Sequence, residues 1–141
     1  MKVLVDSNIV LDILLNNTAF YFNSIAVFVY AEQKRFAAYV SASAVTDIYY
    51  ISRKKLGKEA ALKAINKLFS VFMPATVTGE DIYKALDMEW RDFEDSVQYM
   101  VGEGLAVDYI ITRNTQDFSS SSIPAVSPEQ FIQVVDEDHG I

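Results

Sequence analysis

The chain has 141 residues, a formal net charge of −7 and 51% hydrophobic side chains, the make-up of one globular domain with a sizeable core rather than a disordered segment. It contains no cysteine, so disulfide frameworks, thiolate nucleophiles and cysteine-type zinc sites are excluded, and the composition suits a reducing cytoplasm. Only Lys2 and three apolar residues precede Asp6, and the apolar stretch Ala19–Ala31 is short and broken by Asn23 and Ser24, so neither a signal peptide nor a membrane span is expected.

In chain order, Lys2–Val5 reads as a buried strand that runs straight into Asp6, and Asn8–Leu15 as a short helix started by Ser7. Asn16-Asn17-Thr18 is a turn, and Ala19–Glu32 a second helix with Phe22, Ile25, Ala26, Val29 and Tyr30 at helical spacing. Phe36–Val40 is a strand. Ser41 or Ser43 caps a third helix that runs through Lys55 and stops near Gly57, and a fourth spans Lys58 to about Phe72, with a strand in Val71–Ala75. Thr78, with a carboxylate at Asp81, starts the next helix. Another begins near Asp92 and ends around Gly104 or Leu105. Asp108–Thr112 is a strand, Ser119–Ser122 a surface loop and Ile123–Val126 a strand. Ser127-Pro128-Glu129-Gln130 opens the last helix with a serine cap, proline at the first position and glutamine as box partner. A domain over residues 1–135 with a frayed, flexible tail over 136–141 is expected, without internal repeat or linker.

Short apolar strands alternating with helices predict an α/β fold whose mainly parallel central sheet is covered on both faces. Ligands in such sheets sit beyond the carboxyl ends of the strands. Asp6 follows the first strand at once, and Asn114 lies two residues past Asp108–Thr112, so both belong on that edge.

Asp47 is the only charged residue in Ser41–Ile51, with Ala44 and Ile51 expected on its own helix face. An unpaired carboxylate there is costly and needs a cation, a donor or a proton; a metal or a buried salt bridge would serve. Asp92 and Asp95, three apart, can meet on one helix, with Glu94 pointing elsewhere; alone they are an ordinary acidic first turn. Asn114 can ligate a hard cation or bind substrate. Asp117 can complete a metal set or cap a turn, and Thr112 can position a water or a carboxylate. Converging carboxylates suit Mg²⁺ or Mn²⁺ and phosphodiester hydrolysis. The only histidine is His139, and no phosphate-binding glycine loop is present, so serine or cysteine triads and nucleotide cofactors have no support. Arg53, Lys54, Lys55, Lys58, Lys63 and Lys67 crowd the middle of an otherwise acidic chain. They suit a polyanionic substrate, or are simply a solvated helix face.

Val3-Leu4-Val5-Asp6-Ser7-Asn8, Thr46-Asp47-Ile48-Tyr49-Tyr50, Asp92–Tyr99, Tyr109–Asn114 and Ser127–Phe131 resemble, in order and spacing, PIN-domain ribonucleases, and in particular the VapC-like toxins of toxin–antitoxin systems. The resemblance implies a three-layer α/β/α sandwich and a cytoplasmic, Mg²⁺- or Mn²⁺-dependent RNA hydrolase. It also implies a homodimer and an antitoxin partner. Asp6, Asp47 and Asp95 match the core catalytic and metal-binding acids, with Asp92 an accessory acid. Asn114 matches the fourth position, and Asn8 and Thr112 supporting polar ones. Two departures stand out: the second acid is usually glutamate, one methylene longer than Asp47, and the fourth is often aspartate rather than Asn114. Both weaken the cation field and motivate an alternative, a catalytically weakened binding module on the same fold. A phosphoacceptor receiver is disfavoured, because Ser127-Pro128 stands where that fold needs a lysine.

Overall fold

The computed structural model describes residues 1–139. Five strands, β1 (Lys2–Val5), β2 (Ala37–Ser41), β3 (Met73–Ala75), β4 (Tyr109–Ile111) and β5 (Ala125–Val126), form one sheet in the order β3-β2-β1-β4-β5. Every pairing is parallel. The helices are α1 (Ser7–Leu14), α2 (Tyr21–Glu32), α3 (Ala42–Leu56), α4 (Lys58–Leu68), α5 (Gly79–Met88), α6 (Phe93–Leu105) and α7 (Pro128–His139), with a 3-10 turn at Thr115–Phe118.

Alternation along β1 sets the layers. Val3 and Val5 pack with apolar residues of α1, α2, α3, α4 and α7, among them Ile9, Phe28, Ile48 and Phe131. Leu4 points the other way, into a second core with Ala85 of α5, Val97 and Val101 of α6, Ile110 and Ile123. The expected sandwich is therefore observed, with its layers cored separately. Gly102 lets α6 lie close to the sheet: a Cβ there would sit 3.2 Å from Val107 Cγ2 and 3.5 Å from Leu4 Cδ2. At Gly57 φ is +83°, a conformation that suits glycine and separates α3 from α4.

Both capping boxes are present. Thr78 Oγ1 accepts from Asp81 N–H at 3.0 Å while Asp81 accepts from Thr78 N–H at 3.0 Å, and Ser127 pairs with Gln130 in the same way at 3.1 and 3.0 Å. Helix α4 ends at Leu68, earlier than its apolar pattern implies, and Phe72 enters the core from the following turn. The last helix continues to His139, where fraying from Asp136 was expected. Tyr30 Oη donates to Asp136 Oδ1 at 2.9 Å, and Arg35 lies 3.6 Å from the same oxygen, so this turn is tied to α2. Gly140 and Ile141, also assigned to that tail, lie outside the described residues. Among the described residues no helix is long and apolar enough to cross a membrane.

Candidate active site

The strand order reverses direction between β1 and β4, the point at which an open parallel sheet leaves a crevice at its carboxyl edge. Asp6 leaves β1 there, and Thr112-Arg113-Asn114 leaves β4. Asp6 N–H donates to Ile111 carbonyl at 2.9 Å, which zips the two exits together. Asp6 is also the N-cap of α1, yet its carboxylate makes no cap hydrogen bond; it turns to side chains instead. Thr112 Oγ1 donates to Oδ2 at 2.7 Å, and Gln98 Nε2 to Oδ1 at 3.2 Å. Ser7 Oγ is 3.3 Å from Oδ1. Asp6 and Thr112 are both buried, at 5% and 0% exposure.

Polar groups of Asn8, Arg113 and Asn114 gather around Thr112. Asn8 Nδ2 and Asn114 N–H donate to Thr112 Oγ1 at 3.4 and 3.0 Å, and Asn8 Oδ1 accepts from Arg113 N–H at 3.5 Å. Thr112, itself bonded by Asn8, therefore orients the Asp6 carboxylate, whereas the Asn114 side chain stays exposed.

Asp95 enters from α6. It is buried, at 8% exposure, unlike an ordinary acidic first turn. Burial pushes its carboxyl up, and the charges of Asp6, Asp92, Asp117 and Glu94 add to this, to about 7. Asp92 caps α6, its Oδ1 accepting from Asp95 N–H at 3.1 Å. Asp117 sits exposed in the 3-10 turn, its N–H bound to Asn114 carbonyl at 3.0 Å. Both reach Asp95 through their charge.

Two expectations need correction. Asp47 does not project from a buried apolar face: Ala44, Ile48 and Ser52 form the buried side of α3, while Asp47 is exposed and Ile51 is 44% exposed. Asp47 lines an open depression with Ser7, Leu11, Tyr50 and Glu94. Glu94 does not point away from the acids. It accepts from Ser7 Oγ at 3.4 Å, and burial, then the charges of Asp6, Asp47 and Asp92, raise its proton affinity. Glu94 thus lies close enough to Asp6 and Asp47 for both charges to act on it. Gln98 was also overlooked, although its spacing of one helical turn from Asp95 places it on the same face.

The donor set is oxygen throughout, which suits a hard divalent ion. The charges that act on Asp95 are all negative, so a cation would relieve them. Gln98 Oε1, on the amide whose Nε2 bonds Asp6, is a further buried oxygen without a hydrogen-bond partner among the described residues. As placed, no three acidic or histidine side chains among the described residues are arranged to hold one ion in common. The chemistry fits the ion, and a hard ion that retains waters needs only one or two direct carboxylates.

A family model described as "PIN domain" matches residues 2–116. The chain belongs to the PIN-domain family. This PIN domain is similar to Ribonuclease VapC1 of Aquifex aeolicus (strain VF5), 24% identical over 137 residues and covering 94% of both chains. Among solved structures it resembles VapBC2 from Rickettsia felis bound to a DNA fragment from its promoter, with TM-score 0.67, 15% identity and coverage of 90% of this chain and 98% of that one. It also resembles VapC20 of Mycobacterium tuberculosis, a sarcin-ricin loop cleaving toxin, with TM-score 0.63, 14% identity and coverage of 77% and 86%. A toxin–antitoxin complex from Klebsiella pneumoniae gives TM-score 0.61, 21% identity and coverage of 89% and 97%. At these identities the structural likenesses establish the fold.

Proposed function

We propose that this PIN domain is a Mg²⁺- or Mn²⁺-dependent endoribonuclease and the toxin of a toxin–antitoxin pair, working in the cytoplasm as a homodimer held in check by its antitoxin. The observation that carries this reading is the clamped Asp6 carboxylate set against the buried, proton-hungry Asp95 at the sheet's switch point. The likeness to a protein named Ribonuclease VapC1 supports RNA as the substrate, and the fold shared with toxin–antitoxin complexes supports the partner.

Asp6 and Asp95 would hold the ion, with Asp47, Asp92 and Asp117 around them. When bound, such an ion supplies charge neutralisation at the phosphate and a more acidic water. The chain's own residues do the rest. Thr112 and Gln98 keep both Asp6 oxygens as acceptors in a fixed orientation. Glu94, steadied by Ser7 and with raised proton affinity, is the carboxylate suited to take a proton from an attacking water. Asn114, neutral at the exposed edge, is suited to bind a phosphate or ribose oxygen.

Purified protein should cleave RNA only with Mn²⁺ or Mg²⁺ and lose that activity on Asp6→Asn. Cleavage in chelator that survives this substitution would sink the mechanism. The second reading, a binding module with a weakened site, is favoured by the exposed Asp47 and the neutral Asn114. Failure to bind Mn²⁺ at millimolar concentration in titration calorimetry would select it.

A further inference from the structure

We propose that Arg113 and Lys55 form a subsite for the sugar–phosphate backbone of single-stranded RNA beside the acidic cluster; it rests on the ribonuclease reading and names where that substrate is gripped. An acidic cluster repels a polyanion, so a nuclease of this net charge needs local cations to hold the strand. The depression lined by Asp47, Glu94 and Ser7 shares Leu11 with a second one, which is lined by Asp12, Asn16, Thr18, Lys55 and Arg113. The two hollows therefore adjoin at Leu11, with carboxylates lining one and two cations lining the other. Beyond Arg113 a third hollow opens beside Phe20, Asn23 and Ser127.

Arg113 is built to present donors. Its Nε lies 2.8 Å from Asp12 Oδ2, and Asp12 is itself buried at 2% exposure and anchored by Asn17 and Ser24 at 3.2 and 3.4 Å. The guanidinium carbon lies 4.2 Å from the Phe20 ring centroid. One edge and one face are thus engaged, while the side chain remains 30% exposed. A planar fork held in this way fits a phosphate bidentately at little ordering cost. Because Asp12 neutralises Arg113, the arginine contributes geometry, and exposed Lys55 contributes the net charge.

The two roles separate experimentally. Binding of a fluorescein-labelled, mixed-sequence single-stranded RNA is followed by anisotropy in chelator across a salt series. Lys55→Ala should weaken binding several-fold at low salt and lower the salt slope by about 0.7, the value for one phosphate contact on a single strand. Arg113→Lys should weaken binding by about fivefold to tenfold with the slope unchanged, because charge is kept and the fork is lost. Lys67→Ala, an exposed lysine in the last turn of α4, controls for net charge. Equal effects of Lys55→Ala and Lys67→Ala, or no RNA binding by the wild type, would overturn the subsite. RNA that is bound as expected but left intact when Mn²⁺ is added would overturn the ribonuclease reading and leave the subsite standing; cleavage by the wild type with unaltered binding by both variants would do the reverse.

Discussion

Replacing Asp95 by asparagine should make the metal-free protein more stable above neutral pH, although Asp95 lies at the heart of the site. The side chain is 8% exposed, and burial with the charges of Asp6, Asp92, Asp117 and Glu94 raises its pKa from 3.8 to about 7. A carboxyl whose folded pKa is raised binds more protons in the native state than in the unfolded state between those two values. Stability is therefore lost as pH rises through that window and is intact below it. At about 1.4 kcal/mol per pKa unit, the fully expressed penalty is about 4 kcal/mol, of which about 3 kcal/mol develops between about pH 5 and about pH 8. Asparagine keeps the shape and the main-chain N–H that donates to Asp92 at 3.1 Å, and removes the charge. Urea unfolding in chelator at the two pH values checks this. The wild type should lose stability between them, and Asp95→Asn should lose much less. A variant that is no more stable than the wild type at about pH 8 would refute the claim that Asp95 is held against repulsion.

Manganese should oppose the same repulsion. Added at about pH 8, it should raise the unfolding midpoint of the wild type and leave Asp6→Asn nearly unmoved; equal shifts in calorimetry would place the ion elsewhere. Arg113→Met, which leaves the buried Asp12 charge without its cation, should cost about 3–5 kcal/mol in urea unfolding, and adding Asp12→Asn should recover most of the loss. A cost below about 1 kcal/mol for the single variant would show that Asp12 finds its protection elsewhere.

Much of the fold could be read because local signals agree with one another. Val3, Leu4 and Val5 run into Asp6, the Thr78 and Ser127 caps start α5 and α7 where expected, and Gly57 ends α3. Asp6 and Asn114 were placeable because strand exits in a parallel sheet share an edge, whereas Asn8 and Thr112 were picked out by the resemblance. Side-chain direction within helices was harder. Asp47 looked buried because Ala44 and Ile51 flank it on the helix, but the packed row is Ala44–Ile48–Ser52 and Ile51 itself faces outward. Glu94 was dismissed by the converse reasoning. Phe93 is 46% exposed although Val97 and Val101, one and two helical turns on, are buried, and Glu94 beside it reaches Ser7. Gln98 gave no polar–apolar contrast strong enough to single it out. The Asp12–Arg113 pair links residues 101 positions apart, and only the folded chain brings them together.

The fold makes the acidic cluster hard to escape. Asp6 is fixed by the β1 exit and by donors from β4 and α6, while Gly102 lets α6 run close over Leu4 and so carries Asp95 down beside it. Neither carboxylate can swing into solvent without breaking a buried hydrogen bond or the packing of a helix, and each such loss is worth about 1–3 kcal/mol. Relief comes from a proton or, in the proposed site, from a cation, and the two would compete at Asp95. If the cluster holds the proposed ion, the proton would have the advantage there below about pH 7 and the ion above it. Ion affinity should therefore climb by up to about tenfold per pH unit below that point and level off above it. Calorimetric titration of the wild type across this range, with Asp95→Asn as the flat reference, measures the slope. An affinity for Mn²⁺ that ignores pH would mean that the ion is held by the exposed acids alone and that the burial of Asp95 serves the fold.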